Sequence, residues 1–123
     1  MTLPQYRDRD FSLEVVEDGG TLTSKFVGNA DMAATGPLSE LLPQLHDKLI
    51  ERGARELAVD FQQLEFMNSA CLKLFVNWIV QIQETPADQQ YKLMFRSNPE
   101  LRWQRRSLQA LACFASDLVL VDP

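Results

Sequence analysis

Two kinds of hydrophobic spacing alternate along this chain, and this alternation constrains the fold more than any other feature of the sequence. Short apolar runs of strand length lie at 57–61, 91–95 and 118–121, and segments with apolar residues every three or four positions lie between them. Such alternation is typical of parallel strands that are joined by crossover helices. The sequence therefore predicts an α/β fold around one core.

The N-terminal part of the chain predicts a β-hairpin. Apolar and polar side chains alternate over 11–16 and again over 21–27, and a period of two indicates half-buried strands. The turn between them contains two glycines, which tolerate positive φ. We therefore expect a small mixed sheet of about four or five strands in the order ββαβαβαβ. Residues 1–10 should form an N-terminal extension, and residues 11–123 a single domain.

Turn and capping residues predict where the loops and helices lie. Residues 28–36 should form a loop, and the first helix should follow from Leu38 to a C-terminal cap at Gly53. Pro43 lies inside this helical pattern, so the helix should either begin late or be kinked. The third helix should begin at Asn98, a good capping residue that precedes a proline.

Charge and hydropathy exclude several classes of function. The chain carries 12 basic and 17 acidic side chains, a net charge of −5, whereas nucleic acids and anionic membranes require a basic surface. Residues 1–10 lack the apolar run of a signal peptide, and the longest apolar window, 72–82, is too short and too polar to span a bilayer. We predict a cytoplasmic protein with no nucleic-acid or membrane partner.

Few residues suggest metal, redox or catalytic chemistry. Cys71 and Cys113 have apolar neighbours and no CxxC spacing, so two buried thiols are favoured over a disulfide. His46 is the only histidine and is interpreted as a solvated helix residue, because a metal cluster would need more ligands. We predict no metal site, no cofactor and no catalytic residue.

Four arginines concentrate a third of the basic charge in a short stretch: Arg96, Arg102, Arg105 and Arg106. A solvated helix face is the simpler interpretation. A local docking surface for an acidic partner or a phosphate is the alternative.

The segment LEFMNSACLKLF at 64–75 places two polar residues, Asn68 and Ser69, in apolar surroundings. They lie where the second helix should begin, and their side-chain oxygens can accept hydrogen bonds from free backbone N–H groups. An exposed hydroxyl at the same point would also place a phosphate at the positive end of the helix dipole. A structural cap and a phosphorylation switch are both consistent with this pair.

The longer stretch AVDFQQLEFMNSACLKLFVNWI resembles the signature of the STAS domain family, the fold of bacterial anti-sigma-factor antagonists. In that family a strand ending in Asp precedes an apolar pair, which is followed by Asp-Ser-Ser/Thr-Gly at the start of a helix. Asp60 falls on the strand's Asp, and Phe66-Met67 falls on the apolar pair. Ser69 falls on the serine that is phosphorylated in the phospho-regulated members.

The resemblance extends over residues 11–121. The segment Gly28-Asn29-Ala30-Asp31 resembles the family's Gly-x-x-Asp after the second strand, and the element order also agrees. This sequence differs from the family at Asn68, which replaces an Asp, at Ala70, which replaces the second hydroxyl residue, and at Cys71, which replaces a Gly.

The resemblance implies regulation by partner switching. The unmodified surface around Asn68, Ser69 and the start of the second helix would dock onto a protein partner, a switch-type serine kinase and anti-sigma factor. Phosphoryl transfer to Ser69 would then add close to two negative charges and eject the partner. The kinase would supply ATP and Mg²⁺, and this chain only the acceptor.

Other residues are assigned by position. Lys73 and Asn77 lie four positions apart on the polar side of the second helix, and we expect them to join the partner surface together with Asp31. Asp60 and Gly28 are expected to give structural support.

Two alternatives remain. The protein could be a phospho-independent STAS adaptor, or a regulator of a signalling enzyme such as a diguanylate cyclase. It could also be a small serine hydrolase that uses Ser69, although the sequence contains a single histidine and no Gly-x-Ser-x-Gly motif.

Overall fold

The computed structural model describes residues 3–122, which form one six-stranded mixed sheet and three α-helices. The strands are β1 (Gln5–Arg7), β2 (Phe11–Asp18), β3 (Thr21–Ala30), β4 (Glu56–Met67), β5 (Lys92–Arg96) and β6 (Val119–Asp122). The helices are α1 (Met32–Arg52), α2 (Ser69–Gln83) and α3 (Arg102–Phe114), with a short 3₁₀ turn at Ala87–Gln89. The predicted α/β class and the predicted hairpin are confirmed.

The strands lie side by side in the same order as they occur along the chain. β1, β2 and β3 pair antiparallel, whereas β3, β4, β5 and β6 pair parallel. The sheet has one strand more than predicted, because β1 lies within the segment expected to be an extension and pairs Tyr6 with Leu13.

All three helices cover the same face of the sheet. Each parallel connection advances by one strand in the same direction, and right-handed crossovers then place every helix on one side. The side chains of β4 show this arrangement: Leu57, Val59 and Phe61 are fully buried, while Glu56 is exposed and Asp60 is half-buried. We call the two sides the helix-covered face and the outer face.

Aromatic rings fill the core beneath the helix-covered face. Phe61 of β4 packs edge-to-face against Phe26, Phe75 and Phe95, with ring centroids 5.3 to 5.5 Å apart. Such tilted pairs are favourable because the positive edge of one ring meets the negative face of the next. Phe75 belongs to α2, so this cluster fixes α2 over the centre of the sheet.

Helix α1 begins earlier than the sequence predicts. It begins at Met32, because β3 continues to Ala30 and only Asp31 separates the strand from the helix, which takes up residues 32–36 of the expected loop. Pro37 and Pro43 both lie inside the helix, which continues to its predicted end at Gly53, where φ is +65°. Proline removes one backbone donor, but the buried leucines of α1 hold the helix together on its core side.

The predicted start of α3 at Asn98 is wrong. The helix begins at Arg102, and Leu101 occupies the capping position without a side-chain hydrogen bond. Asn98 instead closes a turn, because its Oδ1 accepts a hydrogen bond from the backbone N–H of Glu100 at 3.0 Å. Asparagine commonly stabilises turns in this way, and this local bond competes with helix capping.

The two cysteines are both free, so the preference for thiols over a disulfide is confirmed. Cys71 is buried, as predicted, but Cys113 is exposed on α3. The prediction for Cys113 is wrong because apolar sequence neighbours do not determine which side of a helix a residue occupies.

His46 is buried, and its interpretation as a solvated residue is wrong. Its side chain on α1 is 6% exposed, and its Nδ1 lies 2.6 Å from the hydroxyl of Tyr91. The indole Nε1 of Trp78 donates to the same hydroxyl at 2.8 Å. Burial lowers the pKa of His46 and raises the pKa of Tyr91, so both groups stay neutral and the imidazole Nδ1 accepts a hydrogen bond from the tyrosine hydroxyl.

Candidate functional site

The ends of β3 and β4 lie next to the starts of α1 and α2 at one edge of the sheet. Ala30 pairs with Met67 in the register of the two strands, and the carbonyl of Ala30 accepts a hydrogen bond from the N–H of Asn68 at 2.9 Å. Each strand leads into its helix through a single residue, Asp31 or Asn68. Two helix N-termini therefore meet at this edge.

Asn68 and Ser69 have separate roles. Asn68 has an extended backbone, and its Oδ1 accepts a hydrogen bond from the N–H of Cys71 at 2.8 Å. Asn68 is thus the cap of α2, as predicted. Ser69 is the first residue of α2, it is exposed, and its hydroxyl makes no hydrogen bond with the rest of residues 3–122. The helix start therefore does not depend on the Ser69 hydroxyl.

Asp31 caps α1 in the same way. Its Oδ1 accepts a hydrogen bond from the N–H of Ala33 at 3.0 Å, and its side chain is half-buried. The two predicted partner residues Asp31 and Asn68 consequently lie close together, each with a side-chain oxygen bonded to a helix start.

Cys71 connects the two helix starts. Its thiol is buried, donates to the carbonyl of Asp31 at 3.5 Å, and lies 3.8 Å from the hydroxyl of Thr35 on α1. Burial raises the pKa of the Cys71 thiol, which keeps it protonated and unreactive. The residue that replaces the family's Gly therefore fills the space between α1 and α2.

Gly28 lies at a close approach between β2 and β3. Its φ is +99°, and a Cβ atom built there would lie 2.0 Å from the carbonyl oxygen of Asp10. The same oxygen accepts a hydrogen bond from the N–H of Asn29 at 2.7 Å. Only glycine fits this position, which holds the end of β3 that leads to Asp31.

Exposed residues of α2 form a stripe that begins at Ser69. Lys73 and Asn77 follow at intervals of four, so all three side chains lie on the same side of the helix and all are exposed. Asn77 also borders a groove of about 280 Å³ between α1 and α2. The groove is lined by Leu38, Ser39, Leu42, Pro43, Leu74, Asn77, Trp78 and Gln81.

Two large apolar side chains are exposed at the same edge of the sheet. Met32, the first residue of α1, is 75% exposed, and Phe66, near the end of β4, is 46% exposed. Phe66 was predicted as half of the family's apolar pair, but the pattern of the sequence did not distinguish Met32. Exposed aromatic and methionine side chains are enriched at protein interfaces.

Asp60 lies in the middle of β4 and not at its end. The strand continues to Met67 with two bulges, where β4 advances one residue more than β3. At the first bulge the Oδ1 of Asp60 accepts a hydrogen bond from the N–H of Gln62 at 2.9 Å. The carboxylate therefore stabilises the bulge, and bulges change the direction of a strand.

Side chains from the start of α3 support the far end of β4, a feature that the sequence analysis missed. β5 ends opposite Asp60, so the carbonyls beyond it lack a strand partner on that side. The Nε2 of Gln104 donates to the carbonyls of Phe61 and Leu64 at 2.6 and 3.0 Å, and Trp103 Nε1 donates to that of Glu65 at 2.8 Å. The signal in the sequence that could have revealed this support is Gln104, a polar residue at a position where the helical spacing of α3 predicts an apolar one.

The four arginines do not form one surface. All are exposed, but Arg96 lies at the end of β5 on the outer face, whereas Arg102, Arg105 and Arg106 lie on α3. Within residues 3–122 no three His, Cys, Asp or Glu side chains are arranged to hold a metal ion. None of the helices in this part of the chain is long and apolar enough to cross a membrane.

Comparison with solved structures defines the fold as the STAS fold of anti-sigma factor antagonists. One similar structure is an anti-sigma factor antagonist from Mycobacterium paratuberculosis, with 14% identity, coverage of 89% of this chain and 85% of that chain, and a TM-score of 0.61. Another is the anti-sigma factor antagonist SpoIIAA in its unphosphorylated form, with 16% identity, coverage of 92% of this chain and 88% of that chain, and a TM-score of 0.55. No protein-family model matches this chain, and no curated protein matches its sequence.

Proposed function

We propose that this protein is a non-enzymatic, cytoplasmic regulator of the STAS type, which binds another protein and is controlled by phosphorylation of Ser69. The observation that carries the proposal is the division of roles at the start of α2. Asn68 caps the helix, and Ser69 presents a free, exposed hydroxyl. The fold shared with two anti-sigma factor antagonists supports the same class of function.

The partner docks on a surface that we call the docking patch: Met32, Phe66, Ser69, Lys73 and Asn77. Met32 and Phe66 supply exposed apolar area at the edge of the sheet, and the α2 stripe supplies polar contacts beside it. A few large apolar side chains surrounded by polar ones are the usual composition of an interface centre. Asp31 and Asn68 border the patch and hold the two helix starts in place.

A phosphate on Ser69 would be stabilised on the chain and unfavourable in the complex. The positive end of the α2 dipole and the ammonium group of Lys73, one turn further along, both favour a dianion at this position. The same phosphate adds close to two charges to a contact surface that contains exposed apolar side chains. Burying a dianion in the complex would be costly unless the partner supplied a matching cation of its own, so the partner would dissociate.

The partner of this mechanism is a switch-type serine kinase and anti-sigma factor, which supplies ATP and Mg²⁺. Asn68 specifically favours a second candidate, a phospho-independent adaptor or a regulator of a signalling enzyme such as a diguanylate cyclase. The reason is that Asn68 is neutral at the position where the family signature has an acidic residue beside the serine. Such a regulator would use the same docking patch without modification. A serine hydrolase is less well supported, because the imidazole of His46 is buried and hydrogen-bonded to Tyr91.

The proposal is tested with protein purified from the native cell and with variants in a binding titration. Phosphopeptide mapping should find phosphate on Ser69, and the phosphorylated protein should bind its partner, isolated by affinity pull-down from the same cell, more weakly than the unmodified protein does. Ser69→Ala should retain binding and Ser69→Asp should weaken it. Ser116→Asp, which changes an exposed serine in the turn before β6, is the matched control.

Two results would reject parts of this proposal. If Ser69 is always unmodified and both Ser69 variants bind like wild type, phosphorylation does not control the protein. Lys73→Glu reverses a charge in the docking patch and should weaken binding without changing the melting curve. Wild-type affinity for this variant would exclude the α2 stripe from the interface.

A further inference from the structure

The outer face of the sheet carries a row of charged side chains that alternate in sign. The strand registers align the neutral Gln5 of β1 with five charged residues, one on each strand from β2 to β6: Glu14, Lys25, Asp60, Arg96 and Asp122. Residues that lie opposite each other in neighbouring strands point to the same face. The helices cover the other face, so this row lies on the side of the sheet that they leave open.

The charges in this row are not closed into ion pairs within the chain. The described side chains form two ion pairs, Lys48–Glu51 and Arg52–Glu17, and neither involves the row. Glu14 and Arg96 are exposed, and they lie three strands apart. These side chains are therefore free to meet charges on another surface.

The neighbouring row on the same face is mostly apolar. It aligns five residues from β2 to β6: Val16, Thr23, Ala58, Met94 and Leu120. Val16 and Leu120 are among the large hydrophobic residues that the fold leaves exposed. A sheet face with an apolar row beside a charged row is suited to packing against a second sheet.

We propose that the outer face is an interface between two copies of this chain, related by a twofold axis that runs along the strands between β3 and β4. With this axis, β3 of one copy faces β4 of the other and β2 faces β5, and the charged rows of the two copies lie opposite each other. Lys25 then faces the partner's Asp60, and Glu14 faces the partner's Arg96. Because the interface is symmetric, each of these pairs of opposite charges occurs twice.

The alternation of charge selects this axis over the other symmetric arrangement. A twofold axis that runs across the strands would place every residue of the row opposite its own copy, so that Glu14 would face Glu14 and Arg96 would face Arg96. Like charges that face each other across an interface are strongly unfavourable. The axis along the strands also brings the apolar row onto itself, with Val16 opposite the partner's Met94.

The size of the face predicts a weak dimer. Six strands about 4.8 Å apart and about five residues of each strand give a flat footprint of roughly 400 Å². Stable interfaces bury about 800 Å² on each partner. The dimer should therefore be weak and form only at high protein concentration.

The test uses two charge reversals that are each unfavourable alone and complementary together. Glu14→Arg places an arginine opposite the partner's Arg96, and Arg96→Glu places a glutamate opposite the partner's Glu14. Sedimentation velocity from about 10 μM to 1 mM should show a concentration-dependent dimer for wild type. Each variant alone should show a dissociation constant at least about tenfold higher, because the reversed pair occurs twice.

An equimolar mixture of the two variants should restore the dimer, since both pairs in a mixed dimer again join opposite charges. This result cannot come from contacts within one chain, because the two changes are on different molecules. Arg102→Glu on α3 is the matched control and should dimerise like wild type. A monomeric wild type at 1 mM, unchanged dimerisation of the single variants, or a mixture that stays monomeric would each overturn the proposal.

Discussion

Gln104→Met is the substitution that should most directly test how the end of β4 is supported. Gln104 is fully buried, and its amide makes three hydrogen bonds, two to carbonyls of β4 and one to the N–H of Asn98 at 2.7 Å. Methionine has nearly the same shape but cannot form these bonds. Two buried carbonyls and one partly buried N–H would then lose their partner.

The magnitude follows from these three bonds. Each hydrogen bond contributes about 1 kcal/mol net, and a buried group left without a partner costs about 1–3 kcal/mol. The apolar methionine side chain offsets part of this loss, by about 1–2 kcal/mol. We expect Gln104→Met to lower the free energy of unfolding by about 2–4 kcal/mol. Urea denaturation followed by circular dichroism measures this change in free energy, provided that the m-value, the slope of the free energy of unfolding against urea concentration, is the same in both proteins.

Gln109→Met is the matched control, because Gln109 is an exposed residue of the same helix and should change stability by less than about 0.5 kcal/mol. Hydrogen exchange should also show faster opening of residues 62–66 in Gln104→Met than in the control. If Gln104→Met unfolds at the wild-type urea concentration, the supporting role of Gln104 is refuted.

Three further predictions concern other positions. Gly28→Ala should destabilise the protein by more than about 3 kcal/mol, since the new Cβ would meet a backbone oxygen. The control Gly36→Ala lies in an open helical position and should not destabilise it, so equal melting temperatures of the two variants would contradict the prediction. Asn68→Ala should lower the free energy of unfolding by about 1 kcal/mol, because it removes a helix cap, while Ser69→Ala should change it by less than about 0.5 kcal/mol. The reverse order of the two variants in urea denaturation would show that Ser69 is the cap. Burial lowers the pKa of His46 below its ordinary value of 6.5, so the unfolded chain binds a proton more readily and stability should fall as the pH drops through 6.5. A His46→Gln variant should lack this step, and an identical pH dependence of both melting temperatures would disprove the assignment.

The sequence was sufficient for the features that depend on local periodicity and capping. The period of two in the hairpin, the apolar runs of β4 and β5, and the cap at Asn68 all arise from residues within one or two turns of each other. Ser69 was recognised because it follows such a cap. Its exposure, however, required the structure.

Long-range contacts explain what the sequence did not predict. The three residues of β1 are too few to show a period, and they form a strand only because β2 provides an open edge. His46 and Gln104 look like surface residues in a linear pattern, yet Tyr91 and the carbonyls of β4 bond them in the interior. Met32 became a candidate contact residue only once α1 was seen to begin there.

The identical order of the strands in the chain and in the sheet has a consequence for how the protein reaches its native state during synthesis. Every strand pairs with the one made just before it, so each new segment can add to an edge that already exists. No strand has to be inserted between two earlier ones, and the chain segments that must close are short, which favours rapid folding. The sheet can therefore grow one strand at a time as the chain leaves the ribosome, with β6 added after the other five strands.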